Sequence, residues 1–289
     1  MSGPTKTDRW LQLLQRDGYC IIPDLVSPMS LQRLEKDLEP AFEQTRPGRG
    51  DFYGYRTKRV GALLRRSSIA AELVLNPTIR ALVDAILKPH CDTIQLNAAQ
   101  AIEVQPGEIE QFPHSDQDMW AGIKGVHEYL VNVMWPLTGF TTANGATRIY
   151  PGTHIDPPHS PEDLGEPAVA ECAPGAAICF LGSTVHGAGA NTTRAARRGV
   201  LVGYSLGWLK PYENLWLAYP PEVARTFSRD LAELAGYVQH RPNLGNVGGQ
   251  CPSLLLDEDA TDYPRATDAL RPDQADAVRA FARSRKPLE

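Results

Sequence analysis

No stretch of this sequence is long and apolar enough to be a leader or a membrane span, and its first residues, MSGPTKTDRW, are polar. The expectation is therefore a soluble, cytoplasmic protein with no membrane partner. Cysteine is scarce and does not pair in pattern. The five, Cys20, Cys91, Cys172, Cys179 and Cys251, are odd in number and contain no CxxC, which argues against a secreted disulfide framework and a cysteine-rich zinc site. Excess positive charge is also missing. With 29 Lys and Arg against 34 Asp and Glu, the formal charge is -5 and the pI about 5.8, so nucleic acid is not an expected partner. No internal repeat is evident.

The chain is rich instead in apolar and turn-forming residues: 42% are hydrophobic, with 24 Gly and 24 Pro among 289 residues. That length and composition suit a globular protein with a well-buried core. DRWLQLLQRDG has helical spacing and a glycine stop at Gly18; YCIIP follows as a short buried strand. Ser27-Pro28 and Asn76-Pro77 are helix starts, with Leu31, Leu34, Leu38 and Phe42 behind the first and Ile79, Leu82, Val83, Ile86 and Leu87 behind the second. From about residue 93 the period moves towards two. TIQLNAAQAIEVQPG, YLVNVMWPL, GATRIYPG, GAAICFLG and RGVLVGYSLGWL read as strands bounded by Gly, Pro or Asn, and the Pro-rich acidic stretch 151–168 as a long surface loop. Many short strands of this kind predict a mainly β fold with flanking helices, a jelly-roll or cupin-like core. The expected organisation is a single domain: a helical region over 1–92, the core over about 93–214, and a helical extension over 215–289 carrying PEVARTFSRDLAEL and PDQADAVRAFARS.

In QFPHSDQD, His114 and Asp116 lie two residues apart and so leave a strand on the same side. Such a polar pair is costly to bury without a partner, and one metal ion satisfies both. A single HxD is weak evidence, since a histidine beside a carboxylate is more often a core hydrogen bond. His186, in STVHGAGAN after the strand AAICFLGSTV, supplies a third ligand. Two histidines and one carboxylate on one side of an ion leave the opposite positions open, which suits a non-haem Fe(II) oxygenase. A rival pair, His154 and Asp156, enters the loop DPPHSPED and lacks a rigid platform. His90, His127, His159 and His240 have no ligand-like spacing. Arg197, in TTRAARRGVLVGYS after His186, returns towards the same barrel mouth, and its planar guanidinium matches a carboxylate. Arg194 and Arg198 compete for that role, although Arg198 faces the other side of a strand from Arg197.

The pieces QPGEIEQFPHSDQDMW, NGATRIYPGTH, VHGAGANTTRAARRG and YSLGWLKPYEN, in that order over about 97–214, resemble the phytanoyl-CoA dioxygenase family of Fe(II)/2-oxoglutarate-dependent oxygenases. YRTKRVGALLRRS is similar to its N-terminal region, and the likeness is greatest to the branch that modifies natural products. The resemblance implies a double-stranded β-helix core. It places Fe(II) on His114, Asp116 and His186, and the distal carboxylate of 2-oxoglutarate on Arg197. Thr147 and Gln111 become polar contacts to the cosubstrate; alternatively Thr147 stabilises a turn and Gln111 braces His114. It makes the PGTH turn a structural feature of the barrel rim. Asp116 fills the position that a halogenase leaves open to halide.

The implied function is an oxygenase that uses Fe(II), 2-oxoglutarate and O2 on an unactivated C–H of a small molecule in secondary metabolism, by hydroxylation or by diverted desaturation, epoxidation or rearrangement. The alternatives are an acyl-CoA or amino-acid-type hydroxylase of the same family, or a non-catalytic cupin-like binding domain. Phe52, Tyr53, Tyr55, Met119 and Trp120 are candidate substrate contacts. The glycine-rich segment from Gly48 to Arg66 is a candidate lid. Its cations Arg56, Lys58, Arg59, Arg65 and Arg66 indicate an acidic substrate if they face the pocket, and a neutral polycyclic one if they face solvent.

Overall fold

The computed structural model describes residues 6–122, 125–257 and 264–285. The ends of the expected N- and C-terminal regions, 1–5 and 286–289, and the stretch 258–263 lie outside the described residues.

Helices α1 (Lys6–Asp17), α2 (Pro28–Gln44), α3 (Ser68–Val74) and α4 (Pro77–Leu87) open the chain, with strands β1 (Tyr19–Ile22) and β2 (Thr57–Val60) between them. Their boundaries follow local chemistry. The Ser27 hydroxyl accepts the Ser30 N–H at 3.1 Å ahead of Pro28, and the buried stripe of α2 is Leu31, Leu34, Leu38 and Phe42. Asn76 caps α4 by accepting from Thr78 and Ile79. α1 stops at Gly18, whose φ of +80° and N–H bond to the Leu14 carbonyl close the helix.

The remaining strands are β3 (Ile94–Val104), β4 (Leu130–Pro136), β5 (Thr147–Ile149), β6 (Ala168–Val169), β7 (Ala177–Leu181), β8 (His186–Ala188) and β9 (Arg197–Leu206). They form two antiparallel sheets. The larger has the order β1-β7-β4-β9-β3-β2, and the smaller the order β6-β5-β8. The region expected to be helical before residue 93 thus also supplies both edge strands of the large sheet. The stretch 150–167 is a loop with one short 3-10 turn, Pro161–Asp163, and the last residue of the expected loop, Ala168, begins β6. After the core come α5 (Leu215–Ala218), α6 (Pro221–Ala224), α7 (Arg229–Leu234) and α8 (Pro272–Arg285). PEVARTFSRDLAEL therefore forms two short helices and not one, because Ser228 caps a new start by accepting the Leu231 N–H. Among the described residues, no helix is long and apolar enough to cross a membrane.

Alternation along the strands divides the core. Val131, Val133 and Trp135 of β4 and Val200, Val202 and Tyr204 of β9 pack with Leu34, Leu38, Leu82 and Val83 of the helices. Met134 of β4 faces the other way and joins Ile102, Phe140, Ile149, Ile178 and Phe180 in a second core between the two sheets. This is the jelly-roll arrangement, and its inner layer leaves a pocket at one end.

Candidate metal centre

His186 opens β8, and His114 pairs with it directly. The His114 N–H donates to the His186 carbonyl and the His186 N–H to the His114 carbonyl, both at 2.9 Å. The HxD segment is thereby stitched to the small sheet as a short extra strand. Asp116 starts a 3-10 turn, which swings its carboxylate back between the two imidazoles. Its Oδ1 lies 3.3 Å from His114 Nε2 and its Oδ2 3.5 Å from His186 Nε2. All three ligand atoms fall within 4.8 Å of one another, and this is the cluster of metal-binding type found among the described residues.

Hydrogen bonds fix the donor atoms. His114 Nδ1 lies 2.9 Å from the Phe112 carbonyl, and His186 Nδ1 lies 3.0 Å from the Thr184 carbonyl. A carbonyl only accepts, so each Nδ1 carries its proton and each Nε2 presents a lone pair to the shared space. Burial pushes the Asp116 carboxyl up, but His186 and His114 outweigh it and hold it well below the usual carboxylate range. Burial pushes the His186 imidazole down, and the neighbouring Asp116 more than reverses this. The site thus favours one positive charge between the ligands, a role that a metal ion takes by replacing a proton. The donor set fits Fe(II).

The metal cluster lines one wall of a cavity of about 130 Å³. Arg197, Thr147 and Gln111 line it too, as do Phe52, Tyr53 and Met119. Arg197 is 3% exposed. Its Nη1 donates to the Gly145 carbonyl at 2.8 Å, its plane lies 4.5 Å over the Phe140 ring, and its Nε has no partner. Among the described residues no carboxylate pairs with it. Burial and the nearby Arg59 lower its pKa to about 10. Gln111 accepts from the Ala188 N–H and donates to the Phe52 carbonyl, tying β8 to the segment 48–66.

Arg198 faces the opposite side, bridging Glu39 of α2 and Glu103 of β3. Arg194 does not line the pocket. The rival His154 bonds the Gln15 carbonyl through Nε2 and stays outside the cluster. His90 and His127 stack on each other at 4.6 Å, and His240 accepts the Asp92 N–H. Two expected substrate contacts fall outside the pocket lining. Trp120 donates to the Lys210 carbonyl and packs edge-on against Tyr129, and Tyr55 turns to Asp51. The candidate lid is only partly a loop, because residues 57–60 are strand β2.

Three further residues belong to the pocket in roles that the sequence does not announce. Asn132 donates through Nδ2 to Asp116 Oδ2 at 2.8 Å. It faces Gly203 across the β4–β9 pair, where an added Cβ would come within 3.1 Å of its Oδ1. The one signal for it is a lone amide in the apolar run LVNVMWP, since a buried amide needs a partner. Arg59 lines the pocket with its Nε unpartnered, while Lys58 on the other face bonds Glu103 and the Phe42 carbonyl. Tyr212, from the loop after β9, closes the third side. Asn132→Ala is expected to weaken Fe(II) binding about tenfold to a hundredfold without changing secondary structure, as measured by equilibrium metal titration.

The sequence profile described as Phytanoyl-CoA dioxygenase (PhyH) matches residues 14–199. Dioxygenase FrzG of Cladobotryum sp is 30% identical over 267 residues, covering 82% of this chain and 86% of that one. Dioxygenase trt7 of Aspergillus terreus (strain NIH 2624 / FGSC A1156) is 29% identical over 236 residues, covering 78% and 82% respectively. The fold is shared with the epimerase SnoN, solved in complex with Fe3+, alpha ketoglutarate and nogalamycin RO, at a TM-score of 0.57 and 18% identity over 70% of this chain and 84% of that one.

Proposed function

This chain belongs to the phytanoyl-CoA dioxygenase family and is a dioxygenase, and from that premise we propose that it oxidises a C–H bond of a small natural-product molecule, using Fe(II) and 2-oxoglutarate. The observation that carries the reading is the pairing of two features in one pocket. A His-Asp-His set lies on one wall, and a buried guanidinium without a counter-ion among the described residues, Arg197, lies within the same lining. A buried unpaired charge is expensive unless a ligand neutralises it. A non-catalytic binding domain has no use for this pairing.

Fe(II) with bound 2-oxoglutarate and O2 supplies oxidation of an unactivated C–H, with succinate and CO2 as co-products. His114, Asp116 and His186 would hold the ion from one side and leave the opposite side for cosubstrate and O2. Arg197 would take the distal carboxylate of the ketoacid. Arg59 lies close enough to Asp116 to feel its charge and would balance the carboxylate nearer the metal. Two unpaired cations match a dianion. Thr147, buried on β5, and Gln111 would add hydrogen bonds along the ketoacid chain. Asn132 would keep the Asp116 carboxylate oriented for holding the ion, through its 2.8 Å bond to Oδ2. Phe52, whose ring sits 4.7 Å from that of His114, would exclude water above the metal.

The direct test is succinate release from 2-oxoglutarate by anaerobically Fe(II)-loaded enzyme on admission of O2, screened against natural-product substrates. The expected result is a slow uncoupled release that a true substrate accelerates. Absence of any 2-oxoglutarate consumption at saturating Fe(II) would remove the reading.

A further inference from the structure

The charge arrangement of the pocket mouth narrows the substrate. Among the described residues, the cations that line the pocket are Arg59 and Arg197 alone. The other basic residues of the segment 56–66 are committed elsewhere. Lys58 lies behind the sheet with Glu103, and Arg56 and Arg66 bond the Pro106 and Gly61 carbonyls. Arg65 and Arg66 line a separate surface groove beside α3. The lining also carries acids, the exposed Asp51 and Glu110 and the buried Glu108. Glu108 is held by the Arg56 N–H at 2.7 Å and the Thr57 hydroxyl at 2.9 Å, Glu110 pairs with Arg148, and Asp51 accepts from Tyr55.

With a dicarboxylate on Arg59 and Arg197, no cation among the described residues that line the pocket is left for a second anion. A substrate carboxylate or the phosphates of coenzyme A would face the exposed carboxylates of Asp51 and Glu110, with the buried Glu108 behind them. The apolar offer is the opposite. Phe52, Tyr53, Ile109, Met119 and Tyr212 line the entrance and are each at least 39% exposed. Aromatic faces with hydroxyl tips suit a flat ring system bearing an uncharged oxygen function. The Tyr53 and Tyr212 hydroxyls meet at 2.5 Å from segments far apart in the chain. In that pair one phenol donates to the other, and one proton remains for a carbonyl or hydroxyl of a ligand.

The geometry points to an uncharged, ring-bearing substrate bound free, not a coenzyme A thioester or a free acid, held against the wall that Phe52, Tyr53 and Tyr212 form together. This rests on the reading of Arg197 and Arg59 as the cosubstrate clamp. It separates this chain from the acyl-CoA chemistry that the family is named for.

The test places one ring system on three head groups: 2-acetylnaphthalene, 2-naphthoate and 2-naphthoyl-coenzyme A. Each is titrated by naphthalene fluorescence into full-length enzyme loaded anaerobically with Fe(II) and saturating 2-oxoglutarate. The visible charge-transfer band of the ketoacid complex is recorded first, and its absence would show that the cosubstrate reading itself had failed. With the band present, the ketone should bind at least tenfold tighter than the carboxylate or the thioester. Tyr53→Ala should weaken ketone binding at least tenfold while leaving the band in place. Equal or tighter binding of the carboxylate or thioester overturns the proposal, as does a ketone that does not bind. Unchanged ketone affinity in Tyr53→Ala overturns the placement against the aromatic wall.

Discussion

Arg197→Ala raises the KM for 2-oxoglutarate about tenfold to a hundredfold, because losing a charged hydrogen-bonded contact costs about 1.5–3 kcal/mol. Fe(II) affinity changes little, since Arg197 lies on β9 and the ligands on β8 and the segment that pairs with it. Protein stability should not fall with cosubstrate affinity. The side chain removed is a buried cation without a counter-ion among the described residues, so the empty site loses an unfavourable charge along with the contact to Gly145. Arg198→Ala is the matching control. It strips Glu103 and Glu39 of a shared partner on the helix side of the sheet, so it should lower thermal stability while leaving the KM for 2-oxoglutarate unchanged. Initial rates across a 2-oxoglutarate series, with unfolding curves for both variants, check the pair. If the KM effect followed Arg198, the clamp would have to be reassigned.

The contrast between Arg197 and Arg198 is legible in the sequence, because adjacent strand residues face opposite sides of a sheet. The candidate metal ligands are legible in part: the two-residue spacing of His114 and Asp116 and a histidine after a strongly apolar strand point to one cluster, although the 3-10 turn that starts at Asp116, and not strand alternation, turns the carboxylate inward. Long elements with sharp signals are legible too, such as β3 with its Pro-Gly stop and α2 behind Ser27-Pro28. The failures share a cause. Trp120 is adjacent in sequence to the pocket residue Met119, but a 3-10 turn ends between them and sends the indole to the Lys210 carbonyl. Arg59 and Tyr212 reach the pocket through pairing of β2 with β3 and through the loop after β9, both long-range relations that no local period encodes. β2 itself is four residues long, TKRV, and its two cations hide its strand character behind the look of a charged loop. Asn132 is visible only as an amide among apolar neighbours; its partner Asp116 is set by the fold.

Asp116→Ala abolishes substrate-dependent turnover and weakens Fe(II) binding more than Asn132→Ala does, that is by more than about a hundredfold. The reason is charge as well as ligand number. Asp116 is the anionic member of the set, and without it two imidazoles with ring centroids 4.6 Å apart would share a dication unaided. The two histidines stay in place in this variant, because reciprocal backbone bonds of 2.9 Å hold His114 to His186, and the Phe112 and Thr184 carbonyls orient their rings independently of the carboxylate. Loss of metal binding can therefore be separated from loss of fold. Added Mn(II), a redox-stable substitute, should raise the melting temperature of the wild type in proportion to binding, by about 2.7 kcal/mol of stabilisation at a hundredfold excess over Kd. The same addition should leave Asp116→Ala where it was, with the far-ultraviolet circular dichroism spectra of the two proteins superimposable. A variant that still gained stability from the ion and still consumed 2-oxoglutarate would show that the carboxylate does not hold the metal.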